Sequence, residues 1–161
     1  MCALDSKGNP TGECAKYSND VLRSKGYTSK GDAWTRIPFS GAKVLYTGYD
    51  GKLPETYDNE TYTQYINDAS DRFAAKVDTT KLRDYDIVGM TSLGSPSQEK
   101  AYNGGKKHGR LNTHTGHIRV GEDGTHYVIH NVHNNLYQHK LADLLGSNNV
   151  FSVIEAARPK K

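Results

Sequence analysis

The chain has 161 residues, 35% hydrophobic and 24% charged, with 16 glycines and 11 tyrosines. That balance suits one turn-rich globular domain and excludes a disordered chain. A net charge of +3 leans slightly toward anionic polymers such as the bacterial wall, but no basic run is dense enough to indicate nucleic acid. No apolar stretch reaches the roughly eighteen residues of a membrane span, and the start of the sequence has no apolar secretory signal, so work outside the cytoplasm would need another delivery route.

Residues 1–13 are polar and turn-rich, and lead into Gly12-Glu13-Cys14-Ala15-Lys16-Tyr17. From there Tyr17, Val21 and Leu22 recur at helical spacing and Gly26 supplies a stop, predicting an amphipathic helix with Cys14 in its first turn. Trp34 follows, either as core or as the wall of a groove. Residues 40–57, with Gly41, Gly48, Gly51 and Pro54, suggest a loop. Tyr62, Ile66, Ala69, Phe73 and Val77 predict a second helix over residues 60–77, capped by Asp58 or Asn59.

Leu82 to Met90 is a short apolar segment consistent with a strand, and Ser92 to Asn112 is a long loop of the kind that often carries function. Thr115–Val120 and Tyr127–Val132 alternate as strands across a glycine-bounded Asp-Gly turn, predicting a hairpin. Lys140–Leu145 reads as a short helix closed by Gly146, Val150–Ile154 as a last strand, and Arg158–Lys161 as a frayed tail. No repeat or composition shift divides the chain, so residues 1–161 are expected to form one domain with its core over about 12–155.

Chemistry centres on Cys14. A thiol at a helix N-terminus has its thiolate favoured by the exposed N–H groups and the macrodipole. The other cysteine, Cys2, could pair with it only across a short loop, which would consume the nucleophile. A cysteine hydrolase needs an imidazole to take the thiol proton and a third polar group to orient that ring. His117 follows Gly116 at a strand start and His130 lies in the paired strand, so the two suit base and orienter. Alternation puts His130 with His126 and Val128, and Asn131 with Tyr127 and Ile129, so only one of His130 and Asn131 can turn toward His117.

Gly-Glu-Cys at a helix start, then Asp-Tyr-Asp-Ile-Val-Gly-Met, Thr-Gly-His-Ile-Arg-Val and Tyr-Val-Ile-His-Asn, resembles the NlpC-like cell-wall cysteine peptidases, a branch of the papain-like superfamily. The resemblance spans roughly residues 12–132. It implies an α+β papain-like fold with a cysteine-bearing helix on a small antiparallel sheet. It implies a thiol mechanism with Cys14 as nucleophile, His117 as base and His130 as the orienting residue, cutting amide bonds in peptidoglycan stem peptides or cross-links. Glu13, Trp34 and Asp86 are expected to line the cleft, and no cofactor is required. Where the family has Asp-Cys-Ser-Gly this chain has Glu13-Cys14-Ala15-Lys16, and its loop before His117 is long, which suggests a phage-borne lysin or secreted antibacterial amidase, with a phage virion or an immunity protein as further partner.

Two rival readings remain at this stage. His114, His117, His126, His130 and His133 have spacings that can supply metal ligands, but a three-residue step along a strand reverses the face, so no metal site is expected. A wall-binding or phage tail module of the same fold, without catalysis, would use the tyrosines for glycan stacking.

Overall fold

The computed structural model describes residues 13–27, 42–92, 99, 102–103, 112, 114–132, 135–147 and 151–161. Its strands are β1 (Lys43–Thr47), β2 (Ile87–Ser92), β3 (His114–Val120), β4 (His126–Val132), β5 (Asn135–Lys140) and β6 (Phe151–Arg158). They form one antiparallel sheet in the order β1-β6-β2-β3-β4-β5. With helices α1 (Glu13–Ser24) and α2 (Asn59–Lys76) they make an α+β arrangement.

The two faces of the sheet follow from register, because residues directly opposed in an antiparallel pair share a face and neighbours along a strand do not. On one face Val88, Met90, Ile118, Val128, Val153 and Ala156 pack with Phe73 of α2 and with Leu141 and Leu144 of a short 3-10 turn. On the other, Ile87 meets Leu22 of α1, and α1 lies against β3 and β4. The helices therefore cover opposite faces.

Helix α2 forms as its apolar spacing predicts. Asp58 caps it by accepting from the Thr61 amide at 3.0 Å, and Tyr62, Ile66, Ala69 and Phe73 are buried along one stripe. Helix α1 likewise ends before Gly26, whose φ of +85° suits glycine. The hairpin of β3 and β4 turns through Gly121–Gly124, closed by the Gly121 amide on Thr125 O at 2.8 Å and the Gly124 amide on Gly121 O at 2.9 Å.

Several local expectations change. Lys43–Thr47, inside the stretch expected as a loop, is a strand against β6, because its own Val-Leu-Tyr run finds a partner edge that the surrounding glycines obscure. Gly48 follows it under α2: a Cβ there would come 1.8 Å from the Ala69 carbonyl oxygen, so only glycine admits the approach. The segment from Leu82 is a turn until Ile87, where β2 begins. Leu141–Leu144 is a 3-10 turn, preceded by strand β5. Arg158 closes β6 and is pinned, with its Nε on Asp86 Oδ1 at 3.0 Å and its Nη2 on Asp86 Oδ2 at 2.9 Å, so it is no part of a frayed tail.

Candidate functional site

Cys14 is the second residue of α1. Its side chain and that of Glu13 lie outside the described residues, as does Trp34. The helix itself is placed. Tyr17, one turn beyond Cys14, has its ring centroid 6.1 Å from that of His117. Leu22, further along, packs on Ile87, which is paired with His117 in the sheet. Ser18, next to Tyr17, is fully buried.

His117 is 3% exposed, and burial pushes its imidazole down to about 4, helped by the Arg119 charge and opposed by Asp84. The ring is therefore neutral at pH 7 and able to accept a proton. Its Nδ1 is buried and without a hydrogen-bond partner.

Register decides which residue accompanies it. His117 opposes Ile129; two residues further along β4, Asn131 returns to the same face, level with Thr115. Its Oδ1 is also buried and without a partner. His130 lies on the opposite face, which corrects its expected role: it cannot reach His117. Instead His130 Nδ1 is 2.7 Å from His114 Nε2, and His130 Nε2 is 2.9 Å from His139 Nδ1. Burial pushes His130 down to about 4, with the His139 charge adding to it, and pushes His114 well below the usual histidine range. Phe151 packs on both rings at centroid distances of 5.0 and 5.1 Å. His114 and His130 are both fully buried. Their nitrogens bond in sequence instead of converging, and among the described residues no group of three His, Cys, Asp or Glu side chains is arranged to hold a metal ion.

Asp86, expected in the cleft, is 2% exposed and saturated by Arg158 and by the Arg83 amide at 2.8 Å, so it is a structural clamp closed to substrate. A second acid was overlooked. Glu155 of β6 is fully buried, stands level with Gly89 and, through it, with Thr115, and accepts from Asn112 Nδ2 at 3.2 Å. Asn112 Oδ1 in turn accepts from Tyr49 at 3.1 Å, and a Cβ at Gly89 would come 2.4 Å from Asn112 Nδ2. A polar row of Glu155, Asn112, Thr115 and Asn131 thus runs across the sheet beside the row that contains His117. A lone carboxylate inside Val153-Ile154-Glu155-Ala156-Ala157 was the available signal for Glu155. For Asn131 it was a count back from the hairpin turn.

The chain matches no family model, and no curated protein or solved structure matches it.

Proposed function

We propose that this protein is a papain-like cysteine hydrolase that cleaves amide bonds in the peptides of peptidoglycan. Cys14 is the nucleophile, His117 the base, and Asn131, in place of His130, the residue that orients the base. The observation that carries this reading is the pair of orphaned polar atoms, His117 Nδ1 and Asn131 Oδ1, buried on the sheet face that the Cys14 helix covers. Buried polar atoms without partners are rare, and a catalytic constellation awaiting substrate is one recognised reason for them. The choice of peptidoglycan rests on the resemblance of the Gly-Glu-Cys and Thr-Gly-His motifs to the NlpC-like peptidases.

In this mechanism the Cys14 thiol gives its proton to His117 and the sulfur attacks the amide carbonyl. Backbone N–H groups at the start of α1 receive the oxyanion, where the helix dipole favours negative charge. The imidazolium returns its proton to the leaving amine, leaving an acyl-enzyme. His117 then deprotonates the water that hydrolyses it. Asn131 Oδ1 fixes the imidazole plane in the substrate complex by accepting from His117 Nδ1–H, a bond that both atoms lack in the free protein. Among the described residues no helix is long and apolar enough to cross a membrane.

Mass spectrometry of purified muropeptides incubated with native protein or Cys14→Ala tests the reading. New products are expected with the native protein alone. Identical profiles from both would remove the hydrolase assignment and leave the wall-binding module.

A further inference from the structure

Tyr85 is the one non-glycine residue among those described with a positive φ, at 69°. A left-handed backbone is strained for an L-residue with a side chain, and such strain persists only where the surroundings over-determine it. Here they do. The Tyr85 amide donates to Ile118 O at 2.7 Å and the Ile118 amide donates to Asp86 O at 2.7 Å, stitching the turn to β3 directly beside His117. Asp86 is itself held by Arg158. The turn lays the Tyr85 ring on the His117 imidazole, with centroids 5.6 Å apart and planes 23° from parallel.

The phenol is fixed in its turn. Arg119 donates to the Tyr85 hydroxyl and holds its guanidinium 4.8 Å from the ring centroid. Asp84 secures Arg119 at 3.4 Å and accepts from the Val120 amide at 2.6 Å. Tyr17 of α1 supplies a second ring against His117, 6.1 Å away. The imidazole is thus held by one aromatic group from the nucleophile's helix and one from a strained turn.

We propose that Tyr85 is a positioning residue for the His117 base: the left-handed turn exists to lay the phenol on the imidazole and fix the ring plane in which it meets Cys14. The proposal rests on the hydrolase reading above. It explains why a tyrosine occupies a position that glycine or asparagine would fill without strain.

The same fact supplies the test. Tyr85→Gly relaxes the backbone while removing the ring, and Tyr85→Phe keeps the ring. With the full chain acting on muropeptides, Tyr85→Gly is expected to lower kcat roughly tenfold to a hundredfold, as a misplaced catalytic group does, with KM changed little; Tyr85→Phe is expected to restore most of the rate. By NMR without substrate, Tyr85→Gly is expected to move the His117 ring protons downfield as the ring-current shift is lost, and to raise the pH at which they titrate. A folded Tyr85→Gly protein with native kcat and a native His117 titration overturns the proposal alone. Should the native protein release nothing from the wall, the hydrolase reading and this proposal both fall, whatever the spectra show.

Discussion

Acidification is expected to unfold this protein through its buried imidazoles before the carboxylates of Asp58, Asp78 and Asp123 respond. His130 is fully buried between His114 and His139. Each of those two nitrogen–nitrogen bonds holds one proton. The other ring nitrogen of His114, Nδ1, is buried without a partner, and orphaned donors are rarer than orphaned acceptors. The row is therefore assigned as Nε2–H of His114 donating to His130, and Nε2–H of His130 donating to His139. An extra proton must enter at the buried Nδ1 of His114 or break the row at His139.

Burial lowers His130 from 6.5 to about 4 in the folded protein. A folded value below the unfolded one means that the stability is fully present above pH 6.5 and is lost as pH falls toward 4. The shift is worth about 3 kcal/mol for His130 alone, against a total of roughly 5–15 kcal/mol for an ordinary domain. His114 is shifted in the same direction. The exposed carboxylates Asp58, Asp78 and Asp123 are held below 3.8 by hydrogen bonds to Thr61, Thr80 and Thr125, so their contribution is lost at lower pH. Urea denaturation followed by circular dichroism between pH 7.5 and 4.5 is the assay. The midpoint is expected to hold near pH 7 and fall steeply below 6.5, and His130→Gln to flatten the slope by about 1.4 kcal/mol per pH unit. A native profile that stays level from pH 7 to 4.5 would refute the reasoning.

Asn131→Ala is expected to reduce muropeptide turnover roughly tenfold to a hundredfold, whereas His130→Gln lowers stability and leaves turnover by the folded protein within a few-fold; steady-state kinetics and thermal melts separate the two, and the opposite pattern would restore His130 as orienter. Gly48→Ala drives a methyl into the Ala69 carbonyl oxygen and is expected to cost more than about 3 kcal/mol or prevent folding, read by expression level and chemical denaturation. Arg158→Met leaves the buried Asp86 carboxylate without its guanidinium and is expected to destabilise by about 3–5 kcal/mol at pH 7; an unchanged denaturation midpoint would show the clamp to be dispensable.

Periodicity carried the two helices and the hairpin, because each buries one face against the sheet and its apolar spacing says so directly. Strands β1 and β5 were hidden for a physical reason: both are edge strands, largely exposed, with Val44, Leu136 and Tyr137 left at the surface. Edge strands take their order from the partner strand more than from their own pattern. The histidine on the face that α1 covers was legible from alternation. The residue beside it required register, which adjacent His130 and Asn131 cannot reveal without a count from the turn. Asp86 looked like a cleft acid because its partner Arg158 lies 72 residues away in sequence, and Tyr85 gave no sign of its backbone at all.

The place of β6 has a consequence for the order in which the sheet can assemble. Among the described strands it comes last in the chain, yet it sits between β1 and β2, and it carries both Glu155 of the polar row and Arg158 of the clamp that holds the Tyr85 turn. A chain synthesised as far as β4 has not yet supplied the strand that joins β1 to β2. Neither β1 nor β2 can complete its pairing until residues 151–158 are in place, so the closing of the sheet waits on its most distant contacts.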